Sequence, residues 1–236
     1  MNAIEFNQFL DLKGEFEAEG LSRNDVSREA IFAARQGLGY LVKIGGCEAK
    51  ADIDFLNEIG IVSVVAPMIE SGFAMSKYMD MISQAQFKNI SITVETKSAV
   101  ENIDEILAIG DMLTEVTIGR SDLTASYGGI DVESTATLEM VKIVANKAKK
   151  KGLHVTMGGT ISKRTIETLQ QDRELFSLID YIETRKVVMA KEVFVSTTVL
   201  QDALKLEVYL LKLRAAQSEK PLPGLQLRIE QLLQRG

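Results

Sequence analysis

Cysteine and histidine are almost missing from this chain. The lone Cys47 excludes an intramolecular disulfide framework, and the lone His154 excludes a metal site built from several imidazoles. A surplus of positive charge is missing as well. Lys and Arg number 27 against 33 Asp and Glu, a formal net charge of −6 with a pI near 5.1, so a nucleic-acid backbone is not an expected partner. A small anion in a local basic pocket is compatible with that balance. No run of about 18 apolar residues occurs, and the opening Met1-Asn-Ala-Ile-Glu-Phe-Asn7 has neither a positive n-region nor an apolar h-region. The expectation is a cytoplasmic protein that is neither exported nor membrane-spanning.

What the chain does have is length and alternation. Its 236 residues, 46% hydrophobic and 25% charged, can bury one large core. Short β-rich runs near 10–17, 39–45, 61–67, 90–95, 114–119, 153–158, 178–184 and 186–189 alternate with helical stretches near 24–36, 48–59, 72–84, 98–109, 133–151, 162–170 and 197–217. That is the signature of βαβ units and a parallel sheet, and eight of them predict a closed TIM (β/α)8 barrel over residues 1–195. Lys147-Ala-Lys-Lys-Lys151 before Gly152 reads as a solvated helix end. Residues 196–236 add a helical tail, Gln201 to Arg214, then Pro221-Leu-Pro223-Gly224, then a helix carrying Leu225, Leu227, Ile229, Leu232 and Leu233. Its apolar residues exceed what one barrel needs, which predicts packing on, or exchange with, a neighbouring subunit of a homo-oligomer. The alternative is that both helices cap their own barrel.

Parity within each strand separates helix-facing residues from residues facing the barrel axis. In the fourth strand Ile90, Ile92 and Val94 face the helices, leaving Ser91, Thr93 and Glu95 inward. In the second, Tyr40, Val42 and Ile44 face out, and Lys43 points inward just before Gly45-Gly46. In the first, Leu10, Leu12 and Phe16 oppose Lys13, Glu15 and Glu17. Buried charges cost several kcal/mol each unless paired or bound to a metal. An ion-pair network is the structural account of Lys13, Glu15 and Glu17. Glu95 and Asp122 stand at or just past two strand ends with no basic neighbour on the same strand face, which marks them as a divalent-metal pair. Hard oxygen donors favour Mg²⁺ or Mn²⁺.

Other residues read less sharply. His154 lies four residues before Gly158, roughly 13 Å deeper by strand rise, and is placed at the closed end of the barrel rather than in a site. Cys47 has no local histidine to pair with and reads as structural. Met157-Gly-Gly-Thr160 puts two glycines between strand and helix, where free N–H groups can hold an anion or simply make a tight turn.

Between about Gly37 and Gly128 the chain carries Pro67-Met-Ile-Glu70, Val94-Glu-Thr96 followed by Asn102-Ile-Asp-Glu-Ile106, and Ile118-Gly-Arg-Ser-Asp-Leu-Thr-Ala-Ser126. In these it resembles the metal-dependent 2-keto-3-deoxy-acid aldolases and citrate lyase β-subunits of the phosphoenolpyruvate/pyruvate barrel superfamily. The resemblance implies an eight-stranded barrel, Mg²⁺ or a similar ion on Glu95 and Asp122, and oligomers that exchange the last helix. Two residues depart from the family pattern: Lys43 stands where an arginine is common, keeping the charge but losing the bidentate fork, and Phe16 stands where a histidine is common.

The expected chemistry is metal-dependent formation or cleavage of a 2-keto acid through a pyruvate enolate. Lys43 would sit beside the enolate oxygen and Glu15 or Glu17 would move the proton, while Gly119, Arg120, Ser121, Gly158, Gly159 and Arg185 would bind the small anionic substrate. Competing readings are an acyl-CoA lyase or phosphoenolpyruvate-type transferase on the same metal, a Schiff-base lysine at Lys43 or Lys13, and a non-catalytic barrel subunit.

Overall fold

The computed structural model describes residues 4–217 and 224–235. Its strands are β1 (Asp11–Glu15), β2 (Gly39–Lys43), β3 (Ser63–Ala66), β4 (Asn89–Val94), β5 (Glu115–Gly119), β6 (His154–Gly158), β7 (Tyr181–Glu183) and β8 (Val187–Ala190), which close in sequence order into one barrel. Around it run α1 (Arg23–Arg35), α2 (Lys50–Glu58), α3 (Gly72–Ile82), α4 (Lys97–Glu101), α5 (Ile103–Ile109), α6 (Arg120–Ser126), α7 (Thr135–Lys150), α8 (Lys163–Gln171), α9 (Arg173–Leu178), α10 (Lys191–Ser196), α11 (Val199–Gln217) and α12 (Leu225–Arg235).

Local chemistry accounts for the boundaries. A capping box of Ser22 and Asp25 starts α1, and the hydroxyls of Ser71, Thr96 and Ser134 accept backbone N–H groups at the starts of α3, α4 and α7. Lys147, Lys149 and Lys150 fill the last turn of α7, and Gly152 follows it with φ +76°. The single helix expected over 98–109 is broken at Asn102, whose amide donates to the Glu70 carbonyl at 2.9 Å.

Strand parity organises the packing. Tyr40, Val42, Ile44, Ile90, Ile92 and Val94 join the main core between barrel and helices, whereas Leu41, Val65 and Val188 form a separate cluster with Tyr181 against them. Those alternate positions face the axis and plug the barrel. His154 stands at the first position of β6, exposed, with its ring centroid 5.5 Å from that of Tyr181.

One expectation is corrected. The eighth strand does not complete an eighth parallel unit: β8 is antiparallel to both β7 and β1. Only residues 184–186 separate it from β7, and a parallel return needs a crossover of about a dozen residues. The hairpin tip therefore lies at the C-terminal end of β7.

Among the described residues no helix is long and apolar enough to cross a membrane. Val199, Leu200, Ala203, Leu204, Leu206, Val208 and Leu210 of α11, with Ile229 and Leu232 of α12, belong to the main core cluster, so in this single chain the tail packs on its own barrel. The Pro221-Leu-Pro223 link lies outside the described residues, as do the side chains of Leu225 and Leu233.

Candidate active site

A cavity of about 340 Å³ opens at the C-terminal ends of the strands. Lys13, Glu15, Lys43, Thr93, Glu95, Gly119 and Glu183 line it from the barrel, Ser121 and Asp122 from α6, and Gly159, Thr160, Thr184 and Arg185 from loops. Leu200, Leu204 and Glu207 of α11 and Arg228 of α12 cover the mouth. The C-terminal face is where barrels of this type build their sites.

Glu95 follows β4 on the inward parity and is buried. Its Oε1 accepts the Met68 N–H at 3.1 Å, and Lys43 Nζ lies 3.5 Å from its Oε2 and 3.1 Å from Glu15 Oε1. Glu95 has no basic neighbour on its own strand face, but it has one from β2, which parity on a single strand does not reveal. Burial pushes the Glu95 carboxyl above its ordinary value; Lys43 and the Met68 N–H oppose that rise, and Asp122 adds to it. Gly119 packs closely against this carboxylate: a Cβ there would come within 3.0 Å of Glu95 Cβ and 3.1 Å of its Oε2, so the Glu95 side chain would have to shift.

The loops beside the cavity hold two non-glycine residues in the left-handed region, Met68 at φ 54° and Thr160 at φ 49°. Met68 supplies the N–H to Glu95, and the Thr160 hydroxyl lies 2.8 Å from that of Ser121. Strain at such positions is held by the surrounding structure and concentrates at functional sites.

A comparison with protein families matches residues 23–177 to the HpcH/HpaI aldolase/citrate lyase family. The chain belongs to the HpcH/HpaI aldolase/citrate lyase family. Solved structures agree on the fold. An HpcH/HpaI aldolase/citrate lyase family protein from Burkholderia cenocepacia J2315 is 15% identical with a TM-score of 0.63, over 88% of this chain and 86% of that one. An HpcH/HpaI aldolase from Desulfitobacterium hafniense DCB-2 is 17% identical with a TM-score of 0.62, over 89% and 84%. The citrate synthase SbnG is 14% identical with a TM-score of 0.58, over 70% and 73%. Among curated proteins no sequence matches.

Three of the residues expected in this HpcH/HpaI site stand elsewhere. Arg120 is fully buried behind the cavity wall: it donates to the carbonyls of Gly158 and Gly159 at 3.1 Å each and pairs with Glu133 at 2.9 Å. It clamps α6 to the β6–α8 loop and does not line the cavity. Gly158 is bound into that clamp and does not line the cavity. Glu17 is exposed and outside the cavity, because the chain has left β1 at Glu15 and strand parity ends there. Gly159, at φ +82°, does line it, and a Cβ there would meet the backbone nitrogens of Ser121 and Arg120 at 2.4 and 2.6 Å.

The sequence reading missed Glu183, Glu207 and Arg228. Lys13, the suspected network residue, pairs with Glu183 at 2.5 Å. Glu183 shares the inward parity of Tyr181, a signal the sequence did contain. Arg228 donates Nη2 to the buried Glu207 at 2.7 Å, a contact between helices distant in sequence.

Among the described residues no group of three or more metal-ligating side chains occurs. Glu95 and Asp122 nevertheless supply two hard oxygen donors to one cavity, and Asp122 raises the cost of the Glu95 charge. A divalent cation fits that pair, with water and substrate oxygens completing its shell.

Proposed function

We propose that this family member is a carbon–carbon lyase of the aldolase kind, forming or cleaving a 2-keto acid through a pyruvate enolate, with Mg²⁺ or Mn²⁺ held by Glu95 and Asp122. The observation that carries the reading is the shared cavity at the C-terminal end of the barrel, lined by those two carboxylates, in which Glu95 pairs with the Lys43 ammonium. When bound, the cation would supply Lewis acidity toward the carbonyl and carboxylate oxygens of the keto acid.

The chain's own residues do the rest. Lys43, fixed between Glu15 and Glu95, places a positive charge on the wall where enolate charge develops, and it acts more strongly once water is excluded. Gly119 leaves room for the Glu95 side chain and Gly159 lets its loop close on the start of α6, while Ser121 offers a hydroxyl. Arg185 faces the mouth from the hairpin tip and can receive an anionic group, and Leu200 and Leu204 exclude solvent above it. Of the carboxylates expected to move the proton, Glu15 lines the cavity and Glu17 does not.

Oxaloacetate decarboxylation tests this reading, because it needs the enolate-stabilising site and no acceptor aldehyde. Activity should depend on Mg²⁺ or Mn²⁺, and Glu95→Gln and Asp122→Asn should each lower it at least 100-fold. Calorimetry without substrate should show Mn²⁺ binding at least tenfold weaker in both. Decarboxylation that survives a chelator, or variants that match the wild type, would overturn the assignment. A borohydride-trapped adduct with pyruvate would instead favour a Schiff-base lysine.

A further inference from the structure

One buried pair in the cavity wall, Lys13 and Glu183, lies outside the stretch that matches the family, 23–177. Their side chains are 9% and 7% exposed, and Lys13 Nζ donates to Glu183 Oε1. The other carboxylate oxygen, Oε2, is buried and has no hydrogen-bond partner among the described residues. A buried acceptor left in that state costs on the order of 1–3 kcal/mol, so a partner arriving with substrate or proton would relieve it.

The other carboxylates of the cavity are differently placed. Glu15 is held by Lys43, Glu95 by Lys43 and the Met68 N–H, Glu207 by Arg228, and Asp122 is exposed on α6. Among the described carboxylates that line the cavity, Glu183 is the one with a buried oxygen that accepts no hydrogen bond.

The hairpin also holds it still. The Thr184 N–H donates to the Val187 carbonyl at 2.9 Å, and Lys186 is buried against Glu19 at 2.7 Å and Glu29 at 2.9 Å. Lys186 Nζ further donates to the Lys13 carbonyl at 3.2 Å, tying the hairpin tip to β1. Burial works against the charge of Lys13, but Glu183 and Glu15 outweigh it and hold the ammonium above the ordinary lysine value.

We propose that Glu183 is the carboxylate that carries the proton of the carbon–carbon step, and that Lys13 is the positioning residue that holds it. This rests on the aldolase reading above. In cleavage of a 4-hydroxy-2-keto acid, the Glu183 carboxylate takes the C4 hydroxyl proton as the C3–C4 bond breaks. The electron pair of that bond passes into the C2–C3 enolate, and C4 leaves as an aldehyde. The resulting carboxylic acid then gives the proton to C3, which yields pyruvate and restores the carboxylate. Synthesis runs the same transfers backwards. Glu15, in this account, steadies Lys43 and moves no proton.

Two rates separate proton transfer from enolate stabilisation. Exchange of the pyruvate methyl protons in D₂O, followed by NMR, requires a base at C3, whereas loss of CO₂ from oxaloacetate does not. Glu183→Gln should lower the ratio of exchange to decarboxylation about 100-fold, the low end of general acid–base contributions. Glu15→Gln should lower both rates together and leave the ratio where it was. Equal losses in Glu183→Gln, no loss at all, or a selective loss in Glu15→Gln would overturn the proposal. If Glu183→Gln does not fold, Glu183→Asp, which keeps the charge and shortens the arm, is read in the same way. A wild-type chain that neither exchanges pyruvate nor decarboxylates oxaloacetate would defeat the aldolase reading itself, an outcome distinct from a failure of Glu183.

Discussion

Glu115 opens β5 on the inward parity, where Thr156 Oγ1 donates to its Oε1 at 2.7 Å. Burial pushes its carboxyl up to about 7 from an ordinary 4.5, with Glu183 and Asp11 adding to the rise. The folded chain therefore binds a proton between those values that the unfolded chain has released. The stability linked to that proton is fully present below about pH 4.5 and is lost as pH rises through about 7. Glu115→Gln removes the linkage while keeping an acceptor for Thr156. From pH 5 to pH 8 the wild type should lose on the order of 2 kcal/mol relative to this variant, allowing for partial exposure. Urea unfolding of both proteins at the two pH values measures it, and parallel pH curves would show that Glu115 is ionised throughout. Parity made Lys13, Glu15, Lys43 and Glu95 legible from one alternating pattern; Glu115 has the same parity on β5 but was not singled out. Arg120 was expected in the site from the motif it shares with the family, and Glu17 from a first strand extended to residue 17, two residues past the Glu15 at which β1 ends.

At the scale of elements, the wall that carries Asp122 depends on the approach of the β6–α8 loop to the start of α6. Gly159 makes that approach possible, since a methyl group there would collide with two backbone nitrogens of α6. Gly128 is a control with a similar φ of +79° and nothing within 4 Å of its absent Cβ. Gly128→Ala should show only the backbone penalty, about 1 kcal/mol. Gly159→Ala should be destabilised by at least ~2 kcal/mol more by thermal unfolding, because a backbone clash adds to the same penalty. It should also weaken Mn²⁺ binding through displaced Asp122, an effect the control lacks. Equal melting shifts would mean that the loop yields freely. Elements differed in how well they could be read. Caps and alternation located β1 to β7 and the long helices. The direction of β8 was misjudged although the deciding fact, a link of three residues, was in the sequence; α6 was missed because a seven-residue helix beginning directly at a strand end leaves no periodic signal of its own.

For the whole molecule, the unsettled relation is between the C-terminal helices and the barrel they cover. The tail was read correctly as helical and apolar, but periodicity gives a helix a face without saying whose surface meets it. In the single chain, α11 and α12 pack against each other, their buried apolar residues join the main core, and they bring Glu207 and Arg228 to the mouth of their own cavity. Glu207 is 3% exposed, so reversing its partner with Arg228→Glu would set two carboxylates against each other and unseat α12. That variant should raise KM for the keto acid at least tenfold. It also distinguishes self-packing from exchange. Light scattering first establishes whether the chain is oligomeric. Glu95→Gln and Arg228→Glu proteins are then mixed, reversibly dissociated and reassembled. If every α12 covers its own barrel, each site retains one defect and the mixture has only the activity of its two components. If α12 is exchanged between subunits, a barrel with intact Glu95 can receive an intact Arg228, and activity must rise above that sum. Self-packing predicts no rise, because the contacts that seat α12 and the carboxylates that it covers belong to the same chain.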